Sequence, residues 1–248
     1  IPLYWLQRPR ALPAEAGMHR WVWDLHYTTP TATRYDYPIS AVPHRTPREP
    51  QGPLALPGMY TVRLKADGKV LSEPLTVTMD PRVMATEADL GAEFRLEETL
   101  AGQVTQSAEA ALEAHSAREQ VEKLSKDATG ELKQQLEAAD KALNALLEGA
   151  TNGMGGGSGA ANEPGLDGVS REVAGLYGQV EQADAAPTTA QQEGAKKVGA
   201  EVAEVLAKWQ TVKAGALKAL DGKLAAASLP GIDLEQRPAT MPEAGDED

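Results

Sequence analysis

Residues 17–27 read Gly17-Met18-His19-Arg20-Trp21-Val22-Trp23-Asp24-Leu25-His26-Tyr27, and this stretch decides the fold expected of the N-terminal third. Trp21, Trp23, Leu25 and Tyr27 fall on one side of a two-residue period, with Arg20, Asp24 and His26 on the other. Successive side chains alternate across a sheet, so this pattern predicts a β-strand over 19–27 with one buried face. The same grammar returns at residues 56–64, where Tyr60, Val62 and Leu64 share a side. Asp67-Gly68 then supplies the pair of positive-φ residues that a two-residue hairpin turn favours. The returning strand, Leu71 to Met79, places Leu75, Val77 and Met79 inward and Thr76 and Thr78 outward. Together these strands predict a small β-sandwich with Trp21 and Trp23 in its core.

Composition divides the chain near Pro81. Eight of the eleven aromatic residues and eleven of the seventeen prolines lie in residues 1–80, so the remainder is nearly free of both. Residues 1–80 carry nine Lys/Arg against seven Asp/Glu, or +2; the remainder carries fifteen against twenty-nine, or −14, and the sum is the net −12. An acidic surface repels phosphate backbones, which argues against nucleic acid as a partner. The absence of cysteine excludes disulfides, thiolate metal sites and a cysteine nucleophile. No run of about eighteen apolar residues exists, so no membrane span is expected. The chain opens at Ile1 without a methionine, and reads as a fragment whose export signal lies upstream.

Leu3-Tyr4-Trp5-Leu6 forms an apolar patch between prolines, expected to be an edge strand or clamp. Residues 28–57 read as a long loop held by its own side chains, Tyr35 and Tyr37 among them. Beyond Asp80-Pro81, Thr86 followed by Glu87 and Asp89 marks a helix start. Leu90, Phe94, Ala101, Val104, Ala108, Ala111 and His115 recur at spacings of three and four, predicting one amphipathic helix of about 40 residues, near 60 Å long. Leu132, Leu136, Ala139, Leu143, Leu146 and Leu147 mark a second helix that ends at Gly149. Residues 149–168 have the composition of a flexible Gly-rich linker. A third helix is expected over about 169–183, a fourth after Pro187-Thr188 carrying Val198 to Trp209, and a last short one through Leu217, Leu220 and Leu224. Residues 232–248 read as a disordered acidic tail.

The order of AGMHRWVWDLHY, YPISAVPH, GPLALPGMYTVRL and LTVTMDPRV resembles the C-terminal region of secreted bacterial β-propeller proteins of the sortilin-like, Asp-box-repeat type. Those proteins are often classed as glycosyl hydrolases. The resemblance covers roughly Leu3 to Val83 and extends more weakly through LYGQVEQADAAPTTAQ and the region of Leu206 to Trp209. It implies an immunoglobulin-like domain followed by a helical segment, an upstream β-propeller as neighbour, and a secreted, periplasmic or cell-surface location. No propeller blade or Asp-box repeat occurs in this chain, so chemistry housed in a propeller is not carried over.

No catalytic, cofactor-binding or metal-binding residue is assigned. His19, His26 and Asp24 on an extended strand would be spread over about 17–24 Å at 3.4 Å per residue, too far for one ion. Glu97-Glu98 and Glu119-Glu122 read as solvated helix-face carboxylates without the cleft that glycoside chemistry requires. Gly153-Met154-Gly155-Gly156-Gly157-Ser158-Gly159 matches no phosphate-loop spacing. No G-x-S-x-G is present. Trp21 and Trp23 could stack on sugar, although their shared face favours the core.

The resulting expectation is an α+β chain of separate modules. An immunoglobulin-like antiparallel β-sandwich spans residues 1–80, and an antiparallel α-helical bundle with one long helix spans 81–231. The expected function is non-catalytic: a structural or interaction module that packs on an upstream β-propeller or another protein and needs no cofactor. Two alternatives stand beside it, an accessory part of a glycosyl hydrolase that completes its substrate cleft, and a carbohydrate- or peptide-binding module.

Overall fold

Thr86 begins the longest element with a reciprocal cap. Its hydroxyl oxygen accepts from the Asp89 amide at 3.2 Å while the Asp89 carboxylate accepts from the Thr86 amide at 3.0 Å, which satisfies two of the four donors a helix start leaves free. In the computed structural model, which describes residues 3–5, 13–37, 44, 46–150 and 163–236, helix α1 then runs Glu87–Asp127 without a break. At 1.5 Å per residue it is about 60 Å long. Helix α2, Gly130–Glu148, folds back along it, with Arg118 of α1 bonded to Asp140 of α2 at 2.8 Å.

Two short strands, β3 (Gly149–Ala150) and β4 (Glu163–Pro164), close the next connection. A Cβ on Gly165 would overlap the backbone of Leu147 and Gly149, so only glycine lets the chain cross there. Helix α3, Leu166–Val180, runs antiparallel to α1, with Asp167 beside His115. Helix α4, Thr189–Val212, opens on a second capping box between Thr188 and Gln191. It lies antiparallel to α3, as the Lys197–Glu172 and Gln191–Gln179 contacts require. A π-helical turn, Lys213–Leu217, carries α4 directly into α5, Lys218–Ala226. The chain then returns to α1, where Gln120 donates to Asp233 O at 2.7 Å and accepts from Asp233 N at 2.8 Å.

The core lies among these helices. Leu100 and Val104 of α1, Leu136 and Leu143 of α2, Val173 and Tyr177 of α3 and Trp209 of α4 are fully buried or nearly so. Each such side chain stabilises the fold by about 1.5–3 kcal/mol.

The N-terminal third differs from the expectation. No immunoglobulin-like β-sandwich is present among the described residues. They contain one hairpin, β1 (Gly58–Ala66) with β2 (Lys69–Val77), which pairs with no further strand. Residues 19–27 are not a strand: Leu25 sits at φ 68°, in the left-handed region, and the β pairing of this stretch among the described residues is the isolated bridge His26↔Leu54. A sandwich requires two facing sheets about 10 Å apart, and the described residues of the N-terminal third supply no second sheet; the two-residue strands β3 and β4 pair only with each other, between α2 and α3. The alternation of Trp21, Trp23, Leu25 and Tyr27 is therefore unpaired. Trp21 is 56% exposed and Trp23 only half-buried.

In place of a sandwich, the described residues of 13–57 form an irregular arm laid on the bundle. The Tyr27 ring meets Phe94 at 5.3 Å, Thr31 N donates to Thr105 Oγ1, and Tyr177 Oη donates to Gln51 O at 2.9 Å. Residues 38–43 and 45 of the expected 28–57 loop lie outside the described residues, as do Leu6, residues 151–162 of the Gly-rich stretch and the tail from 237 onward.

Trp209, 1% exposed, and Trp21 should respond oppositely to truncation. Trp209→Ala is expected to cost about 3–5 kcal/mol, and Trp21→Ala no more than about 0.5 kcal/mol. Denaturant midpoints measure both, and equal losses would put Trp21 in a core after all.

Candidate functional site

The arm and hairpin carry the surface that the bundle lacks. Every large apolar side chain that is exposed among the described residues lies between Tyr4 and Met84. On the hairpin the register Tyr60↔Leu75, Val62↔Glu73 and Leu64↔Leu71 gathers apolar residues on one face. Met59↔Thr76, Thr61↔Pro74, Arg63↔Ser72 and Lys65↔Val70 make the other, more polar face. Because alternate residues point to opposite faces, sequence pattern predicts this division well. What it does not predict is exposure: Val62 is 53% exposed, and Leu64, Leu71 and Leu75 are open as well. The Asp67-Gly68 turn has the two positive φ angles, 50° and 72°, of the tight hairpin.

Trp23 covers only the base of the apolar face, where its ring meets Tyr60 edge-on at 5.5 Å. Its Nε1 donates to His26 O at 2.9 Å and Tyr60 Oη donates to Leu56 O at 2.7 Å, so both polar tips are satisfied within the arm. Gly52 is buried under this junction, and a Cβ there would overlap the Tyr27 carbonyl. Trp21, Val22, Leu25 and Tyr27 extend the apolar surface beyond Trp23.

The histidines do not converge. His19 is bonded to Glu15 O, His26 to Asp24, and His44 packs against the Tyr4 ring. His115 joins α1 to α3: its Nε2 lies 2.9 and 3.1 Å from the two oxygens of Asp167. That bond to Asp167 raises the imidazole's pKa above its ordinary value, and burial offsets part of the rise. Among the described residues no group of three or more His, Asp or Glu is placed to hold a metal ion, and no helix is long and apolar enough to cross a membrane. Glu113 Oε2 accepts from both Trp209 Nε1 at 3.0 Å and Lys213 Nζ at 2.9 Å, and so fixes α4 to α1.

One group of carboxylates departs from the solvated role expected of it. Glu98, Glu119 and Glu122 are exposed, but Glu97 is only 5% exposed and Glu93 is buried beside it. They lie on α1 near Glu181 at the end of α3 and Asp184 in the turn that follows, with Glu49 of the arm close to Glu181. Burial first, and repulsion from these neighbouring acids second, pushes Glu93, Glu97 and Glu181 each up to about 7. The Ala185 amide offsets a small part at Glu93. Tyr177, in the same junction, is pushed up for the same two reasons.

These shifts fix a pH dependence. A carboxylate whose pKa is raised on folding binds more protons folded than unfolded between the two values. Stability is therefore fully present below about pH 4.5 and is lost as pH rises to about 7. His115, raised above its ordinary value by the bond to Asp167, adds a loss in the same direction as pH rises past 6.5. The unfolding free energy should fall between pH 5 and pH 8, with Glu97 accounting for about 1–3 kcal/mol of the fall. Glu97→Gln should flatten that part of the profile and stabilise the protein at pH 8. A profile for this variant parallel to that of the parent would show that Glu97 is ionised and solvated.

Comparison of the chain with protein-family models, with curated proteins and with solved structures found no match.

Proposed function

We propose that this chain is a non-catalytic structural and interaction module, the C-terminal region of a secreted β-propeller protein, which docks on the propeller or on a partner through its arm and hairpin. The observation that carries the reading is the partition of apolar surface. The bundle buries its large apolar side chains, whereas the hairpin leaves Val62, Leu64, Leu71 and Leu75, all on one face, open to solvent. A contiguous exposed apolar patch marks a protein contact more often than chance. A two-stranded hairpin is also marginal in water unless something packs on it. The order of motifs in residues 3–83, with its likeness to the region that follows a propeller, supports a propeller as the neighbour. Hydrogen exchange tests this. Amides of residues 58–77 should exchange rapidly in this chain alone and become protected in the longer polypeptide from the same gene. No upstream propeller, or no protection with one attached, would end the reading.

The exposure of Trp21 and Tyr27 favours a second reading, a carbohydrate-binding surface, because an open aromatic ring can stack on a sugar face. Titration with soluble oligosaccharides by calorimetry decides it: saturable heat that Trp21→Ala abolishes supports a sugar platform, and no heat across a broad panel removes it.

A further inference from the structure

The hairpin has two edges, and they are not equivalent. A two-residue turn makes Ala66↔Lys69 a hydrogen-bonded pair, and bonded and non-bonded pairs then alternate down the ladder. Lys65, Arg63, Thr61 and Met59 are therefore at non-bonded positions, with their backbone N–H and C=O pointing away from β2. Among the described residues no backbone group is bonded to them. The outward positions of β2 are Val70, Ser72, Pro74 and Thr76. Pro74 has no N–H, so the β2 edge lacks a donor at its centre, a common protection against added strands. The β1 edge has a full set of donors.

We propose that this free edge of β1 pairs antiparallel with β1 of a second copy of the chain, about a two-fold axis through Val62, to give a four-stranded sheet in the order β2-β1-β1-β2. The sequence of β1 is nearly symmetric about that point. In Gly58-Met59-Tyr60-Thr61-Val62-Arg63-Leu64-Lys65-Ala66 small residues sit at the ends, then long side chains, then large apolar ones, then polar ones, with valine at the centre. Antiparallel self-pairing centred on Val62 sets Met59 against Lys65, Tyr60 against Leu64 and Thr61 against Arg63. The outward residues then fall opposite one another in bonded pairs, each exchanging two backbone hydrogen bonds, and all nine residues of the strand take part.

Charge selects this register over its neighbours. Centring on Arg63 would oppose two guanidinium groups, and a parallel in-register pairing would oppose Arg63 with Arg63 and Lys65 with Lys65; like charges directly opposite are destabilising. Centring on Thr61 would set Lys65 against Pro57, which has no N–H to give. With Val62 at the centre no charge faces its like, and the Tyr60, Val62 and Leu64 stripes of the two copies join on one face. This inference concerns the edge of the hairpin and stands apart from the docking of its apolar face on another domain.

The chain contains no cysteine, so one introduced thiol reports cleanly. Val62→Cys places two thiols across the axis in a non-bonded pair, with Cα atoms about 4.5 Å apart, within the range a disulfide spans. Mild oxidation should yield covalent dimer on the order of a hundredfold faster than it does for Ser72→Cys on the β2 edge, because the paired thiols act at a high effective concentration. Sedimentation of the unmodified chain should show dimer, and Thr61→Pro should abolish it, since the Thr61 amide points outward and bonds to nothing within the hairpin. Thr76→Pro, on the other edge, should leave the dimer intact. Circular dichroism at 222 nm shows whether each variant keeps its helices. A chain that sediments as a monomer at its highest soluble concentration, or equal oxidation rates for the two cysteine variants, would overturn the proposal.

Discussion

The alanines at 108, 110, 111, 114 and 117 set how closely α2, α3 and α4 approach α1. All are buried, and small side chains along a helix let neighbouring axes come near without voids. The larger residues of the partners then interdigitate around them: Leu136 and Leu143 from α2, Val173 and Tyr177 from α3, Trp209 from α4. Interiors pack at crystal-like density, so one enlarged alanine would be felt by three helices together. Helices α2 and α3 thus pack chiefly on α1, while α4 packs on both α3 and α1, and α1 must be long because it carries those contacts along with those of the arm and the C-terminal return.

The arm and hairpin obey a different constraint. Proline is frequent there, and among the described residues of 13–57 the backbone pairing consists of two isolated bridges and a handful of loop bonds. What fixes the arm is its fit against α1 and α3, where Tyr27, Thr31, Tyr35 and Gln51 meet Phe94, Thr105 and Tyr177 or the bundle core. The same seat contains Glu49, Glu93, Glu97, Glu181 and Asp184, and no ion pair to any of them is found among the described residues. Ionised together they oppose the docking that the aromatic contacts favour. The junction of α1 with the end of α3, on which the arm rests, is therefore loosened as Glu93, Glu97 and Glu181 lose their protons.

Local signals were legible in the sequence wherever the interaction that makes an element is itself local. Thr86 with Asp89 and Thr188 with Gln191 cap helices from three residues away, and Asp67-Gly68 forms its turn without outside help. Alternation in Trp21 to Tyr27 and in Tyr60 to Leu64 specifies which side of a strand is apolar, but it carries no information about what lies against that side. The hairpin formed and its cover did not; at Leu25 the backbone turned into the left-handed region and the first strand was lost. Glu97 departs from the solvated role for another reason. It falls on the stripe Leu90, Phe94, Glu97, Ala101, Val104, and a carboxylate at such a position is the signal of a buried acid. The π-helical turn at Lys213–Leu217 left only a weak trace, a run of small residues with no proline to stop the helix.

Charge decides which part of the molecule can meet a like copy. Residues 81–248 carry the −14 and residues 1–80 the +2, so two bundles brought together repel, and net charge of one sign keeps such surfaces apart in solution. At physiological salt that repulsion fades over about 8 Å, which makes it a contact-range filter. The hairpin escapes the filter. Arg63, Lys65 and Lys69 lie near its tip with Asp67 and Glu73, its apolar residues are in solvent, and its β1 edge has unsatisfied donors and acceptors. Hydrophobic area is non-directional and would accept many partners; an edge of fixed register accepts few. The specificity of any association at this end of the protein must therefore come from the backbone of β1 and from where its two cations sit, with the exposed leucines and valines supplying affinity.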